Sequence, residues 1–479
     1  MRRERAFFLL NLGCAKNAVD SESMKQLLHG AGYESAPTPE GAQVLIVNTC
    51  GFIGPAKAES IAHLRALAAA KREDQILIAA GCLAQRYGAG LAAHVSGLDG
   101  VISTRRWMDI VDVVNRLGER LGGRRDPLYH LPDEAQTASG DPAGRHDERG
   151  VLRASVQGSS AYLKVADGCR RPCAFCAIPR IKGTAVSRPL ATIVDEAVRL
   201  QAMGVRELIL IAQDTTDYGH DLGLKDGLAT LLEAIVSAAP DIPWIRVMYA
   251  YPGAVTVRLI EVMARHEQLL PYLDIPLQHG SRQVLRRMRR PANVEWVYRT
   301  LAKLRAAMPD IAVRTTFIVG YPGETEREFA ELLDFVRDLQ FDRVGAFTYS
   351  YEEDTPSADL PGHLPEAVKE ERRDALMALQ QDISLARNEA LIGRTLDVLV
   401  EGRGEAEDER GRPTGERLSV GRCYRDAPEI DGLVFVEGEL PVGEIAPVRV
   451  TGAMIYDLVG TIDTMAVRVM SRRGVTTDT

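Results

Sequence analysis

The chain has 479 residues, an apolar fraction of 46% and a net charge of −8. It is too long for one ordinary core, so two or three domains are expected, and its acidic balance argues against a surface built to bind polyanions throughout. No apolar run reaches the roughly 18 residues needed to cross a bilayer, so no membrane contact is expected.

The N-terminus offers one alternative, because MRRERAFFLLNLGC joins a basic start to a short apolar stretch and imitates a lipoprotein cleavage site. The apolar stretch is only about seven residues long and Asn11 interrupts it, which disfavours export. The seven cysteines are an odd number and are sparse for this length. They fit a reducing compartment better than a disulfide framework, so a cytoplasmic protein is expected.

Residues 1–118 alternate apolar runs with helical stretches, from AFFLLNLG through QVLIVNT and ILIAAG to GVIS. Helices are expected near Ser21–Gly30 and Ala56–Ala70. This order predicts an α/β domain, in which a parallel sheet carries helices on its faces. Residues 119–158 are rich in Gly, Pro, Asp and Arg without a period, which predicts a linker.

Residues 159–392 contain six strand candidates, AYLKVA, ELILIAQ, IRVMYA, YLDIPL, VRTTFIVG and RVGAFTYS. Amphipathic helices are expected between most of them, at Ala191–Met203, Thr256–His266, Val294–Met308 and Thr325–Leu339. A charged helix follows at Pro365–Leu391. Six β/α units predict a partial (β/α)6 barrel, because eight units close a full barrel in about 250 residues.

Residues 393–463 change to short strands rich in Val and Leu and broken by Gly and Pro. This pattern predicts a small antiparallel β-barrel, similar to the OB type. Cys423 lies in this segment and is interpreted as a small packed or surface residue. Residues 464–479 are expected to form a tail.

Cys169, Cys173 and Cys176, called the central trio below, stand in DGCRRPCAFC directly after the first strand candidate of the barrel. Thiolates spaced in this way in one loop can face one metal centre. Structural zinc is an alternative, but such sites are almost always closed by four protein ligands, and this loop supplies three. The central trio therefore favours a metal centre with one open position.

Cys14, Cys50 and Cys82, called the N-terminal trio below, each follow a predicted strand, in NLGC, VNTC and AAGC. Since the carboxyl ends of parallel strands lie at one edge of a sheet, these cysteines can converge on a second centre. Three separate buried cysteines are the alternative.

The loop CRRPCAFC resembles the CxxxCxΦC loop of radical S-adenosylmethionine (SAM) enzymes. LGCAKNAVDSE, VNTCGFI and GCL resemble the N-terminal domain of the methylthiotransferases within that superfamily. The resemblance implies two 4Fe-4S clusters, one on each trio and each with an open iron. It implies that the central cluster binds and cleaves SAM to form a 5'-deoxyadenosyl radical, and that the second cluster delivers sulfur.

Further SAM contacts are candidates at Phe175, between two ligands of the central trio, and at Gln213, which leaves the second barrel strand. The segment TFIVGYPGET resembles the glycine-containing cofactor segment of the family, which adds Gly320, Gly323 and Glu324. Phe175 has a plain alternative as a core aromatic, and Gln213 as a strand-end residue bound to backbone. No general acid or base is identifiable.

Asp214 and His279 also end barrel strands and are candidates for the pocket, with the same plain alternative. The run RRMRR, Arg286–Arg290, is either a nucleic-acid contact or a solvated helix end. In FTYSYEEDT the sequence departs from the expected pattern at Asp354, where Gly is expected.

The C-terminal segment resembles a TRAM domain through GRCYRDAPEIDGLVFV and VRVTGAMIYDLVG. Relatives that modify transfer RNA use this domain on nucleic acid, which requires Lys and Arg to contact phosphates. Residues 395–462 hold instead 7 Arg, no Lys and 14 Asp plus Glu. An acidic surface attracts a basic protein, so a protein substrate is expected and nucleic-acid contact is expected to be secondary.

AQDTTDYG, YLDIPLQHGS and SRP resemble the ribosomal-protein branch of the methylthiotransferases more than the RNA branch. This implies, as substrate, the β-carbon of an aspartate in the basic small-subunit ribosomal protein number twelve, free or in the subunit, and an electron donor as a further partner. A transfer-RNA adenosine methylthiotransferase and an iron-sulfur carrier are the alternatives. The carrier has no use for a barrel with cofactor-binding glycines.

Overall fold

The structure is a computed structural model that describes residues 5–120, 126–132, 150–407 and 412–465. Most of the predicted linker and nearly all of the predicted tail lie outside these residues. Within the described residues, no helix combines the length and the apolar character needed to span a membrane.

A six-stranded parallel sheet forms the N-terminal unit, in the order β2-β1-β3-β4-β5-β6. Its central strands are buried on both faces, as expected for continuous apolar runs covered by helices. The strands are β1 (Ala6–Asn11), β2 (Glu34–Ser35), β3 (Val44–Thr49), β4 (Ile76–Gly81), β5 (Gly100–Ser103) and β6 (Leu128–His130). The helices are α1 (Ala15–Gly30), α2 (Gly54–Ala70), α3 (Cys82–Tyr87), α4 (Leu91–His94) and α5 (Ile110–Glu119).

Two short strands lie in the segment 119–158 that was predicted to be a linker. β6 extends the N-terminal sheet, and β7 (Ala154–Gln157) pairs antiparallel with the first strand of the central barrel. Their length and mixed composition gave no periodic signal in the sequence. This segment therefore completes both neighbouring sheets as well as connecting them.

The central unit is a seven-stranded sheet in the order β15-β14-β13-β12-β11-β8-β7. All six predicted strands are present and parallel: β8 (Ser160–Lys164), β11 (Glu207–Ile211), β12 (Trp244–Val247), β13 (Leu269–Asp274), β14 (Ala312–Val319) and β15 (Arg343–Thr348). A small hairpin-like pair joins β9 (Ala166–Asp167) to β10 (Val186–Ser187). The helices are α6 (Ile178–Lys182), α7 (Leu190–Ala202), α8 (Gly227–Ala238), α9 (Val257–Arg265), α10 (Arg282–Arg287), α11 (Val294–Ala307), α12 (Glu326–Leu339) and α13 (Glu366–Glu389).

Side chains of β11 alternate between the two faces of the barrel wall, as the two-residue period of a strand requires. Leu208 and Leu210 pack toward the surrounding helices, whereas Ile209 and Ile211 belong to an interior cluster. That interior cluster also takes in Val19 from α1 of the N-terminal unit. The barrel interior is therefore filled partly by a neighbouring domain.

The C-terminal unit is a closed five-stranded barrel in the order β16-β17-β18-β20-β19. Its pairs are antiparallel as predicted, except that β18 and β20 are parallel. The strands are β16 (Thr395–Glu407), β17 (Pro413–Cys423), β18 (Val434–Glu437), β19 (Ile445–Ala453) and β20 (Leu458–Ile462). Cys423 is fully buried, and its thiol lies 3.0 Å from Asp426 Oδ2.

Candidate active site between the N-terminal domain and the barrel

The central trio lies in the loop that follows β9. Gly168 opens this loop at φ +74°, and a Cβ there would lie 2.0 Å from the backbone oxygen of Thr184, so only glycine fits. The backbone N–H of Cys169 donates to Gly183 (3.0 Å), and that of Cys176 donates to Cys173 (3.2 Å). These bonds fold the loop so that its three thiols border one cavity.

Two donors are directed at sulfur atoms of the central trio. The backbone N–H of Arg171 lies 3.4 Å from Cys169 Sγ, and Arg290 Nη1 lies 3.6 Å from Cys173 Sγ. Burial raises the pKa of Cys169 to about 11 and that of Cys176 to about 12, so metal binding must release protons there. Hydrogen-bonded thiols at this spacing fit an iron-sulfur cluster.

The cavity at the mouth of the barrel has a volume of about 230 Å³. Phe175 and Gln213, two of the predicted cofactor contacts, line it. Phe175 also packs on an apolar cluster that contains Tyr321, so its two interpretations are compatible. Gln278 lines the same cavity and its buried Oε1 has no partner among the described residues, which leaves an acceptor for a ligand. The lining residues are Lys16, Phe52, Cys169, Arg171, Cys173, Phe175, Cys176, Ile178, Gln213, Asp214, Tyr249, Ala250, Tyr251, Pro276, Gln278 and Arg290.

The N-terminal trio lies at the carboxyl edge of the first sheet. Cys14 precedes α1, Cys50 follows β3, and Cys82 begins α3 directly after β4. Gly81 makes the last of these turns at φ +93°, where a Cβ would lie 2.3 Å from Asn48 Oδ1. The glycine lets the chain turn sharply, so that Cys82 stays at the sheet edge.

The thiols of the N-terminal trio lie near enough to act on one another electrostatically. Burial is the main cause that raises the pKa of Cys82 to about 12, and the charges of Cys14 and Cys50 add to it. Cys14 is the most accessible of the three; burial raises its pKa, but Lys16 and nearby backbone N–H groups outweigh this and lower it. Three neighbouring thiols with one of lowered pKa also fit a cluster.

No three His, Cys, Asp or Glu side chains in the described ranges converge tightly enough to hold a single metal ion. A 4Fe-4S cluster does not need such convergence, because each of its thiolates binds a different iron atom. Neither trio, as described, has the convergence of a closed zinc site.

Asn17 joins the elements that carry the N-terminal trio, and no pattern in the sequence indicates this role. Its Nδ2 donates to the backbone oxygen of Thr49 (3.1 Å), and its Oδ1 lies 3.6 Å from Cys82 Sγ. Asn48 Nδ2 in turn donates to the backbone oxygen of Asn17 (2.9 Å). The start of α1 is thereby fixed to the ends of β3 and β4.

The two trios lie on either side of one domain boundary. Cys82 packs on Ala177 and Ile181, which directly follow the central trio. Lys16, in the first turn of α1 after Cys14, and Phe52, two residues after Cys50, line the cavity that the central trio borders. The structure thus brings the loops of both trios to a common space.

A buried ionic cluster holds this boundary together. Asp20 on α1 accepts from Arg153 Nη2 (2.8 Å), Lys164 Nζ (2.5 Å) and Lys182 Nζ (2.8 Å). Asp167 accepts from Arg153 Nη2 (3.1 Å) and Lys164 Nζ (3.0 Å). These five residues come from four segments of the chain, since only Lys164 and Asp167 are near neighbours, and no sequence pattern connects the four.

Three predicted cofactor contacts do not line the cavity. Gly320 and Gly323 have φ of +70° and +73°, and they shape the turn after β14. The carboxylate of Glu324 accepts from Arg372 Nη1 (2.8 Å) and lies 3.4 Å from His279 Nε2. His279 also accepts a backbone bond from Ser281 (2.9 Å), which is the plain alternative considered for it.

The charged residues whose roles the sequence did not decide have defined partners in the structure. Asp214 accepts from Arg171 Nε (2.6 Å) at the cavity rim. Asp354 accepts from Arg86 Nε (3.0 Å), so the departure from the expected glycine creates a contact between the N-terminal unit and the barrel. Arg290, the last residue of RRMRR, turns toward the central trio, whereas Arg287 binds Glu328 (2.9 Å).

Three family descriptions match the chain. The radical SAM superfamily covers residues 163–336, the uncharacterized protein family UPF0004 covers residues 6–103, and the TRAM domain covers residues 392–462. A solved structure of the radical S-adenosylmethionine methyltransferase TsrM from Kitasatospora setae, with cobalamin and a 4Fe-4S cluster bound, has a TM-score of 0.51 at 16% identity. It covers 74% of this chain and 77% of that chain, and it shows the fold alone.

Relatives named "Ribosomal protein uS12 methylthiotransferase RimO" match almost the whole chain. The protein of Chloroflexus aurantiacus is 49% identical over 95% of this chain and 99% of its own length. Those of Roseiflexus sp. and Synechocystis sp. are 46% and 44% identical, over 95% and 94% of this chain and 96% of their own lengths. The chain therefore belongs to the RimO family of radical SAM methylthiotransferases.

Proposed function

We propose that this chain is a ribosomal protein uS12 methylthiotransferase that adds a methylthio group to the β-carbon of an aspartate. The observation that carries the proposal is a cavity that the central trio borders together with Lys16 and Phe52, which lie two residues after Cys14 and Cys50, at the boundary of two domains. The likeness to the RimO relatives over about 95% of the chain supplies the substrate.

The central trio would hold a 4Fe-4S cluster and the N-terminal trio a second one. When bound, the first cluster with SAM supplies a carbon-centred radical able to remove hydrogen, and the second supplies sulfur. The chain itself holds the sulfur ligands in place. The backbone N–H of Arg171 and the guanidinium of Arg290 donate toward the central trio, which favours its charged form.

The cavity walls would orient the cofactor and keep water away from a reactive radical. Phe175 and Gln213 are the proposed cofactor contacts, because both line the cavity. The guanidinium groups of Arg171 and Arg290 lie 4.1 and 4.4 Å from the centre of the Tyr251 ring, which stiffens this wall. The turn that contains Gly320, Gly323 and Glu324 would stabilise the cavity wall without contacting the cofactor. It would do so through the contacts of Glu324 with Arg372 and His279.

A basic protein substrate suits the surface of the C-terminal barrel. Glu416, Glu437 and Glu439 are exposed there. Arg422 and Arg425 are buried against the central barrel, so they are not available to contact phosphates. Of the two substrates considered, a basic ribosomal protein therefore fits better than transfer RNA, and any RNA contact by the TRAM domain would be secondary.

The test is an anaerobic reaction of reconstituted, chemically reduced protein with methyl-labelled SAM. Purified uS12 and small subunits are one set of substrates, and bulk transfer RNA is the other. We expect label in uS12, 5'-deoxyadenosine as a second product, and about eight iron atoms per chain from two clusters. Label in RNA would support the alternative substrate, and absence of 5'-deoxyadenosine would contradict radical chemistry.

A further inference from the structure

Lys16 is a buried cation in the cavity between the two trios. Only 7% of its surface is exposed, and it lines the cavity that the central trio borders. Its Nζ lies 3.0 Å from the centre of the Tyr249 ring. Tyr249 itself has φ of 62°, an uncommon conformation for a residue with a side chain, and its N–H donates to Asp274 Oδ2 (3.1 Å).

The other buried lysines and arginines in the described part of the chain all have an oxygen partner from a carboxylate or a backbone carbonyl. Lys164 and Lys182 bind Asp20, for example, and Arg105 binds backbone oxygens of α6. Within the described residues, the ammonium of Lys16 has neither kind of partner. A buried charge without a partner is unfavourable, so this arrangement indicates a site for an anionic ligand.

The other charges near Lys16 are already engaged. The negative groups that act on Lys16 are Cys14, which is a proposed cluster ligand, and Asp274. The oxygens of Asp274 accept from Arg314 Nη1 (3.0 Å) and from the backbone N–H of Tyr249 (3.1 Å). Among the cavity arginines, Arg171 binds Asp214, and Arg290 reaches Cys173. Of the cations that line the cavity, Lys16 is thus the one without a carboxylate or carbonyl partner among the residues that the structure describes.

The position of Lys16 matches what the proposed reaction requires. The reacting carbon of an aspartate is bonded directly to its carboxylate carbon, and it must be reached both by the radical and by the sulfur. The carboxylate must therefore lie in the space between the two trios. Lys16 lies two residues after Cys14 and also lines the cavity of the central trio.

We propose that Lys16 binds the side-chain carboxylate of the target aspartate and so selects an acidic residue for modification. This inference rests on the proposed function and adds to it the residue that recognises the substrate. A cavity built around an unpaired cation rejects a neutral amide of the same shape, because the buried charge then stays uncompensated.

The experiment measures binding, so that it does not depend on turnover. Cluster-loaded enzyme without reductant is titrated with purified uS12 and with a uS12 variant whose target aspartate, located by mass spectrometry after the wild-type reaction, is changed to asparagine. The enzyme variants are Lys16→Met, Lys16→Arg and a control, Lys25→Met. Lys25 lies on the same helix, and its ion pair with Glu22 is partly exposed, with side-chain exposures of 34% and 39%.

We expect wild-type enzyme and Lys25→Met to bind the aspartate form at least about tenfold more tightly than the asparagine form. Lys16→Met should bind both forms equally, and Lys16→Arg should keep part of the preference. Each variant should keep the iron content and the electron paramagnetic resonance signals of the wild type.

A preference that persists in Lys16→Met, or that is absent from the wild type, would overturn the inference. Loss of iron from Lys16→Met but not from Lys25→Met would also overturn it, since Lys16 would then support the metal site. If wild-type enzyme modifies uS12 while either result holds, the proposed function survives and only the role of Lys16 fails. If wild-type enzyme does not modify uS12, the proposed function itself fails.

Discussion

The two ends of the central barrel meet different neighbours and are built differently. At the amino ends of the strands, the C-terminal barrel closes the interior with apolar contacts and ion pairs. Leu399 and Ala427 join the interior cluster, and Glu207 binds both Arg246 (2.7 Å) and Arg422 (2.6 Å). Opposite charges are matched there, as expected for an end that stabilises the fold.

At the carboxyl ends of the strands, the N-terminal domain leaves a cavity and two thiol trios. This end also carries the uncommon backbone conformations of Tyr249 and Gln278 and, within the described residues, a Gln278 oxygen without a hydrogen-bond partner and a Lys16 ammonium without a carboxylate or carbonyl partner. Unsatisfied groups and backbone strain are unfavourable for stability and are typical of binding sites. Both ends of the barrel carry stabilising ion pairs, but the cavity and the two trios lie at the carboxyl ends of the strands, so strand polarity decides where the candidate ligand contacts lie.

The largest expected effect comes from removing one ligand of either trio. Cys173→Ala should abolish 5'-deoxyadenosine formation, whereas Cys50→Ala should keep it and lose methylthio transfer, because the two trios serve different steps. Each variant should fall from about eight to about four iron atoms per chain. Iron analysis and chromatography of the products measure this. Cys423→Ala, in the C-terminal barrel, should keep both activities; equal defects in the two trio variants would contradict separate roles.

Asp20→Asn should lower the free energy of unfolding by about 3–5 kcal/mol, because it leaves three buried cations with fewer negative partners. These cations lie at the boundary between the N-terminal domain and the barrel. Urea unfolding of the metal-free chain measures the loss. The variant should also retain less iron on the N-terminal trio, since Asp20 lies on α1 and this helix begins directly after Cys14. Unchanged stability and iron would show that the ionic cluster does not hold the boundary.

Glu207 allows a pH test of the ion pairs at the amino ends of the barrel strands. Burial alone would raise the pKa of Glu207, but Arg246 and Arg422 outweigh it and lower the pKa from 4.5 to about 2. The stabilisation, about 3 kcal/mol, is then fully present above pH 4.5 and declines as the pH falls toward 2. Urea unfolding of metal-free wild type and Glu207→Gln between pH 3 and 6, about the window in which the carboxyl titrates when unfolded, should show a steeper acid loss in the wild type. Parallel pH profiles would contradict the assigned pairing.

The smallest effect concerns the backbone beside Cys82. Gly81→Ala should cost about 1–3 kcal/mol of strain and displace Cys82, lowering the iron on the N-terminal trio. Gly204→Ala is the matched control, because Gly204 also has a positive φ, +84°, but a Cβ at this position would have no neighbour within 4 Å. Unfolding should show strain in both variants, and iron analysis should show a loss in Gly81→Ala alone.

Much of the fold was predictable because its elements follow a simple period. All six barrel strands and the four N-terminal strands β1, β3, β4 and β5 lie where the apolar runs indicated. The short strands β6 and β7 were missed, since three or four residues of mixed character carry no period and form only against an existing sheet edge. Helix α8 was not among the predicted helices, because its residues are mostly apolar and show no clear polar face.

The site was predictable where its residues are neighbours in the chain. The central trio could be predicted from one loop, Phe175 from its place between two of these cysteines and Gln213 from the end of a strand, and the structure places all of them at one cavity. Lys16, Asn17 and Asp20 stand in the same motif as Cys14, yet their roles depend on Tyr249, Thr49 and Lys164, which lie far away in the sequence. Glu324 is the opposite case, since it was predicted to contact the cofactor but does not line the cavity. Its carboxylate accepts instead from Arg372, which is distant in the sequence.

The sequence by itself determined the parallel sheets and the acidic composition of the C-terminal barrel, and it predicted the two trios, because these features depend on local spacing and composition. Only the tertiary structure decided that the trios share one boundary, which carboxylates neutralise which buried cations, and that no described carboxylate binds Lys16. Charge pairing in a protein interior is set by which distant segments come into contact, and no local pattern in a chain records that.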